Sequence, residues 1–457
     1  MQSMNVQFHN SRPAQNMRHQ TSTLLRRMLS PICGLSTSIG FTLAPPGGAR
    51  IMTAGGDMTG VHVLNGTIKP KRGFYHIGGS GCSLEESVIR TLGETAERYS
   101  QFVSPHKFKN ELRWCSWEQL KSEKANVLSP ELCQFYKPSR FSKAGFPYKP
   151  FSAGQAMSWI AMPSMLGPEK LWVPSQLVLV GYVVRDDIGE PWLTSAVTTG
   201  GAAHTDPAAA LRNAILELIQ VDTAMGHWYS KSESTPIELD ARTTRLKAFV
   251  DRYFRATGPQ PKFYYIRNAD LPGHAVACTL RDPKGVPRVG VGLGCDTALE
   301  ASMYSALLEA VGVYNLAKLN LFEAQVSGTD CASTTNTEEL FDLDKNVAWY
   351  ALPQNASLLE ARYPLGKGVA ACDLPADDTN PMPMQLERLV DAFRSTGKSL
   401  VYLDLTTSDL RSLGFYAFRV WSPQLLGLAM PSAPKDFHPR YAAYGGYRDD
   451  SGPHPYP

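Results

Sequence analysis
No stretch of this sequence stays apolar for the roughly twenty residues that a membrane-spanning helix needs. Charge of neither sign dominates: 45 lysines and arginines face 42 acidic residues, a formal net charge of +3. That balance, with no basic stretch interleaved with aromatics, argues against a nucleic-acid or anionic-membrane partner. The eight cysteines (Cys33, Cys82, Cys115, Cys133, Cys278, Cys295, Cys331 and Cys372) are scattered and form no C-x-x-C pair. Clustered zinc ligands are therefore lacking, and the pattern is that of free thiols in a reducing compartment. The N-terminal stretch carries His9, Arg12, Arg18 and His19 and no apolar core segment, which excludes a secretory signal. A cytoplasmic protein is the resulting expectation. There is also no G-x-x-x-x-G-K-[ST], so a nucleotide would be held by something other than a P-loop.

What the sequence does hold is ordinary globular material, 43% hydrophobic and 19% charged over 457 residues. Residues 1–28 read as a flexible N-terminal segment, in which 23–27 (TLLRR) suits a short amphipathic helix. Residues 29–64 are small, glycine-rich and β-like, and 104–175 read as short elements and loops. The run 177–184 (LVLVGYVV) predicts a buried strand that turns at 185–189 into a second strand over 192–199. Another hairpin is expected over 274–280 and 289–293, joined through Asp282-Pro283-Lys284-Gly285. Residues 353–383 read as loop, 399–405 and 416–420 as strands, and 431–457 as a proline-rich tail ending in PHPYP. Strands mixed with three long helices predict an α/β (α+β) domain over 29–430, with mixed, largely antiparallel sheets.

Three segments align without a gap: 83–94 (SLEESVIRTLGE), 206–217 (DPAAALRNAILE) and 298–309 (ALEASMYSALLE). Each follows glycine-rich text (Gly78-Gly79-Ser80-Gly81, Gly200-Gly201 and Gly290-Val291-Gly292-Leu293-Gly294) and opens on a capping candidate: Ser83, then Thr205 or Asp206, then Asp296 or Thr297. In the first helix Val88, Ile89, Leu92 and Tyr99 make an apolar stripe, while Arg90, Glu94 and Glu97 share another, with Arg98 beside them. The matching positions are Asn213, Glu217 and Gln220 in the second helix and Ser305, Glu309 and Gly312 in the third; the glutamate alone is common to all three. Carboxylates on neighbouring helices suit Mg2+, a hard cation that takes oxygen ligands and substrate phosphates. Glycine loops and helix N-termini let backbone N–H groups approach a polyphosphate. The repeat thus predicts three glycine-loop/helix units around one magnesium–nucleotide site. Taken singly, each segment is better explained as a capped amphipathic helix than as a functional unit. Asp222, His227 and Trp228 follow the second repeat; His227 is weighed as a base against a packed or surface histidine, the commoner role, and His76, before the first glycine loop, is given no role. Trp114 and Trp117 are read as packing in a core or a partner surface, and the thiols Cys82 and Cys295 as structural.

The text Gly79-x-Gly81 … Glu94-x-x-Glu97-Arg98-Tyr99-Ser100 resembles the signature of the YcaO family. The resemblance continues through 202–222 and 292–309, through Asp404-Leu405-Thr406-Thr407-Ser408-Asp409 and Arg419-Val420-Trp421-Ser422-Pro423, and into the PHPYP ending, so it spans residues 29–457. It implies an ATP- and Mg2+-dependent cyclodehydratase of thiazole/oxazole-modified peptide biosynthesis. In that chemistry a Cys, Ser or Thr of a ribosomal precursor peptide attacks the preceding amide, ATP phosphorylates the amide oxygen, and loss of phosphate gives a thiazoline or oxazoline. Carried over by motif position, Glu94, Glu97 and Glu217 are metal ligands. Arg90, Arg98, His204, Thr205 and Gln220 join them around the nucleotide. The α-carboxylate of Pro457 is the catalytic base, on a tail that reaches the active site. The sequence departs from the family at Arg90 (often serine), Ala209 (often glutamate), Gln220-Val221 (Glu-Arg) and Ser305 (arginine), which weakens the conventional nucleotide contacts. Residues 1–28 are too short to fold as a leader-recognition domain. A separate ThiF-like partner is therefore expected to present the peptide, with a flavin-dependent dehydrogenase acting afterwards and a homodimer as the family-level assembly. Thioamide or amidine formation is the alternative reaction, and a peptide- or partner-binding subunit that does not hydrolyse ATP is the alternative role.

Overall fold
Four small sheets, joined by three long helices, make up the described part of the computed structural model, which covers residues 15–42, 44, 48–60, 76–328 and 343–457. Strands β1 (Gly40–Thr42), β2 (Met52–Asp57) and β3 (His76–Gly81) form an antiparallel sheet in that order. So do β4 (Arg113–Cys115), β5 (Met157–Pro163) and β6 (Lys170–Pro174). A third sheet, ordered β13-β14-β7, takes β7 (Gly201–His204) from mid-chain and β13 (Val401–Asp404) and β14 (Tyr416–Trp421) from near the end. The fourth runs β11-β10-β9-β8-β12, from β8 (Ser234–Glu238), β9 (Gln260–Ile266), β10 (His274–Arg281), β11 (Val289–Asp296) and β12 (Val369–Ala370). Only the β12–β8 pair is parallel among the described strands, so the antiparallel expectation holds.

The helices are α1 (Gln15–Met28), α2 (Leu84–Lys107), α3 (Pro207–Tyr229), α4 (Leu299–Ser327) and α5 (Met382–Ser395), beside several of ten residues or fewer. Residues 15–28 are therefore not an extended flexible segment: α1 docks on α2, with Arg18 paired to Glu85 at 3.2 Å and Met28 buried. Each long helix starts where the alignment expects, but the caps differ. Ser83 accepts the Glu86 N–H, and Asp206 accepts those of Ala208 and Ala209. On α4 the cap position is Ala298, which has no side-chain acceptor. Asp296 takes the Ala298 N–H at 3.1 Å, and Asp377, distant in sequence, takes that of Leu299 at 2.8 Å. The helices bury different cores. Val88, Leu92 and Ala96 of α2 pack with Trp159 and Leu179, and Ile215 and Ile219 of α3 with Phe393 and Val420. Met303 and Leu307 of α4 pack with Phe249 and Val276.

The hairpin at 274–296 forms as expected, with Ala277 opposite Leu293. The one expected at 177–199 does not. Ser175–Val178 is a single helical turn, and Gly181 (φ +79°) sends the chain into a loop. Side chains replace a ladder there. Glu190 accepts from the Ser158 and Arg185 N–H groups and from the Tyr182 hydroxyl, and Gln176 bridges Pro191 and Leu193. A short buried apolar run has no periodicity with which to announce this difference. The 353–383 region likewise contains Ala356–Arg362 as a helix and β12, rather than loop alone.

The tail is built into the molecule. Arg440 is buried and pairs with Asp222 at 2.7 Å and with Asp270 at 2.8 Å. Beyond it, Pro453, His454, Pro455 and Tyr456 are all buried. The carbonyls of Gly452, Pro453 and His454 accept from Trp228, Tyr350 and Asn346, and the Tyr456 hydroxyl meets that of Tyr363 at 2.6 Å.

Candidate nucleotide and metal site
The glycines of the three units lie inside strands β3, β7 and β11 or one residue before them, and what they admit is a helix. A Cβ on Gly79 would lie 2.6 Å from the Thr91 nitrogen of α2, and one on Gly292 would collide with the Ala310 backbone of α4. Gly200 has φ +81° and presses against the Val420 carbonyl of β14. Close strand–helix contact is thus the observed use of these glycines, where the sequence suggested an open phosphate cradle. The consequence is positional: each helix lies flat on its own strand, and the glutamate about three turns in points to the common centre.

Glu217, Glu97, Glu94 and Glu309 follow one another across that centre: Glu94 raises the proton affinity of Glu97 and of Glu309, and Glu97 raises that of Glu217. Glu94 accepts the Gly78 N–H at 3.0 Å and pairs with Arg98 at 3.2 Å. Glu97 accepts from Gln101 at 3.1 Å. Arg419 of β14 lies under the row, buried to 2% exposure, donating to Gln101 at 3.0 Å and to the Val197 carbonyl at 2.6 Å. Its charge acts on both Glu97 and Glu217. Backbone N–H groups of Gly200 and Leu293 support Glu217 and Glu309.

Loss of hydration dominates Glu97, Glu217 and Glu309, although each keeps an edge open to solvent. It lifts Glu97 to about 8, with Glu94 adding and Arg98, Gln101 and Arg419 opposing. It lifts Glu217 well above the usual carboxylate range, with Glu97 adding. It lifts Glu309 to about 7, with Glu94 adding. Burial also lowers Arg419 to about 10 despite both acids. Four carboxylates thus meet two guanidinium groups, and the row holds protons near neutral pH. A divalent cation would supply the missing charge, and all-oxygen donors suit Mg2+. Among the described residues no three His, Cys, Asp or Glu side chains converge into a ready-made metal cage. That fits an ion held by one or two carboxylates and completed by phosphate oxygens.

The expected site residues divide accordingly. Glu94, Glu97, Arg98 and Glu217 come together in this row. Arg90 is tied elsewhere, to Glu86 at 3.3 Å and over the Tyr304 ring. His204 accepts the Asp206 N–H at 2.9 Å, and Thr205 is exposed, both at the start of α3. Gln220 is half-buried one turn beyond Glu217. Pro457 is half-buried and follows Tyr456, which is buried and senses the charge of Glu309. Sequence reasoning left out Arg419 and Gln101 as site members, and set Glu309 in register without assigning it a ligand role. Gln101 stands one helical turn from Glu97, and Glu309 is the third repeat's shared glutamate, so both had a signal. Arg419 had only its motif. His227 is buried against Tyr363 and held neutral, with its proton affinity lowered by burial to about 3, so it cannot serve as a base near neutrality. Burial and Glu86 raise Cys82 to about 11, and burial raises Cys295 as well, so neither is a reactive thiolate. No described helix is long and apolar enough to cross a membrane.

A family model described as "YcaO cyclodehydratase, ATP-ad Mg2+-binding" matches residues 78–426. No curated protein sequence matches. Among solved structures, a heterocyclase in complex with substrate and cofactor superposes with TM-score 0.71 at 17% identity over 96% of this chain. This chain spans 57% of that heterocyclase's length. YcaO from Methanopyrus kandleri bound with AMPPCP and Mg2+ gives TM-score 0.58 at 14% identity, covering 96% of this chain and 94% of its own. The E. coli microcin synthetase McbBCD complex with pro-MccB17 bound gives TM-score 0.58 at 13% identity, over 93% and 98% of the two chains.

Proposed function
Because this chain belongs to the YcaO family of ATP- and Mg2+-binding cyclodehydratases, we propose that it closes Cys, Ser or Thr side chains of a ribosomal precursor peptide into thiazoline or oxazoline rings. The observation that carries this reading is the row of four carboxylates, three of them desolvated, set on three strand–helix units and met among the described residues by Arg98 and Arg419. ATP supplies the phosphoryl group that turns an amide oxygen, a very poor leaving group, into a good one. Of Glu94, Glu97 and Glu217, one or two at a time would hold Mg2+ against the nucleotide's phosphates. Arg98 and Arg419 keep the acids from repelling one another, and Gln101 fixes the orientation of Glu97. The role of the protein is then positioning and charge balance. The α-carboxylate of Pro457 is the base that takes the proton of the attacking side chain; the buried anchoring of residues 453–456 supports this, because a base must be held in place. A separate leader-binding ThiF-like partner, a later flavin-dependent dehydrogenase and a homodimer complete the proposal.

One observation favours a second reading, a peptide-binding subunit that does not turn over ATP. Gln220 stands where the family places an acid, and Arg90 is already neutralised by Glu86. Phosphate release and loss of one water's mass per ring separate the two readings, measured with precursor and partner on wild type, Glu94→Gln and a chain lacking Tyr456-Pro457. Wild type should show both, and Glu94→Gln neither. The shortened chain should lose cyclisation while keeping ATP turnover. Wild type without phosphate release or mass loss overturns the cyclodehydratase reading, and a fully active shortened chain overturns the role of Pro457.

A further inference from the structure
The loop at 179–199 borders a cavity of about 620 Å³, within the range of sites that enclose a ligand. Val183, Val184, Thr194 and Ala196 line it, and none of the four makes a backbone–backbone hydrogen bond to the described residues. Unpaired backbone of this kind is ordinarily satisfied by water or by another chain. Nor is the loop slack. Glu190 gathers Ser158 N–H (2.9 Å), Arg185 N–H (2.8 Å) and the Tyr182 hydroxyl (2.9 Å). Gln176 donates to the Pro191 carbonyl at 2.8 Å and accepts the Leu193 N–H at 2.7 Å, while the Lys149 N–H donates to the Trp192 carbonyl at 2.7 Å. Trp192, 39% exposed, and Val183, 67% exposed, give the rim apolar surface. Thr194 and Ser195 also line a smaller cavity, together with Arg419 and Lys435. The buried Arg419 Nε has no hydrogen-bond partner there, and the same guanidinium faces Glu97 and Glu217. The open backbone therefore leads inward to the row of acids.

We infer that this cleft binds an extended peptide segment, which pairs in strand fashion with the backbone at 183–184 and 194–196 and passes its reacting residue inward beyond Thr194 and Ser195. The inference rests on the peptide-modifying reading above and adds where the substrate chain lies. Backbone pairing reads main chain and not side chain, so it tolerates sequence change along the peptide. A substrate that offers successive Cys, Ser or Thr residues needs that tolerance.

The test uses the full chain and a fluorescent synthetic peptide rich in Gly, Ser and Cys. Hydrogen–deuterium exchange of wild type should show peptide-dependent protection at Val183, Val184, Thr194 and Ala196. Ala196→Trp fills the cleft. Val183→Pro removes one N–H that no described group accepts. Both variants should weaken peptide binding about tenfold or more, a loss of about 1.4 kcal/mol, while melting temperature and Mg2+-nucleotide affinity stay at wild-type values. Wild type that binds the peptide without protecting these amides overturns the cleft, even if both variants misfold. Rings formed by wild type with unchanged peptide KM in both folded variants overturn it too, and leave the cyclodehydratase reading standing. Protected amides without ring formation keep the cleft and sink the reaction.

Discussion

Magnesium binding should release a proton from Glu97. Lost hydration and Glu94 push this carboxyl up to about 8, while Arg98, Gln101 and Arg419 pull the other way. A metal ligand must be the carboxylate anion, so the proton competes with the ion. With that proton affinity the anion is about one part in a hundred at pH 6 and about half at pH 8. Affinity for Mg2+ should therefore rise about fifty-fold across the interval, with close to one proton released per ion at pH 7. The measurement is titration calorimetry with Mg2+ and a non-hydrolysable ATP analogue, in two buffers of different ionisation heat. Glu97→Gln should bind more weakly and lose the slope that belongs to Glu97. The nucleotide's own titration is common to both proteins, so the difference between them isolates this residue. Parallel pH dependence in wild type and variant, or no proton released by wild type, refutes the assignment.

Three further outcomes follow from the same geometry. Glu309 binds its proton more tightly folded, at about 7, than unfolded, at about 4.5, so the metal-free fold loses stability as pH rises through that window. Glu309→Gln should match wild type below the window and exceed it above, by on the order of 1–3 kcal/mol in denaturant titrations; a gap of opposite sign removes the cause assigned here. Gly292→Ala drives a methyl into the α4 backbone and should cost about 1–3 kcal/mol or more. Gly201→Ala meets the Gln101 side chain and Glu97 instead, so it should weaken nucleotide binding more than melting temperature; equal effects of the two changes on both readouts contradict the division of roles. Tyr456→Phe removes the buried hydroxyl pair with Tyr363 and should cost about 1–2 kcal/mol and loosen the tail, seen as faster amide exchange over 452–457; an unaltered exchange rate denies the anchoring role.

The repeated glutamate, the helix starts at 84, 207 and 299, the 274–296 hairpin and the strands β13 and β14 were all legible from residue pattern, because capping, periodicity and turn chemistry are local. The family was legible from ordered motifs. Three things were not, and each depends on contacts between residues far apart in the chain. The run 177–184 looks like a strand by composition, but Glu190 and Gln176 hold it as a loop through side-chain hydrogen bonds. The glycines look like a phosphate cradle by spacing, yet they lie in or beside strands against which helices pack, since only the packed structure says what approaches the missing Cβ. Arg419 is one arginine among many in sequence; β14 pairs with β7 and so brings it beneath Glu97 and Glu217. The sequence by itself determined which residues carry charge and which helices carry them. The tertiary structure decided which charges share one desolvated space, and proton affinity depends on distance and hydration rather than on position along the chain.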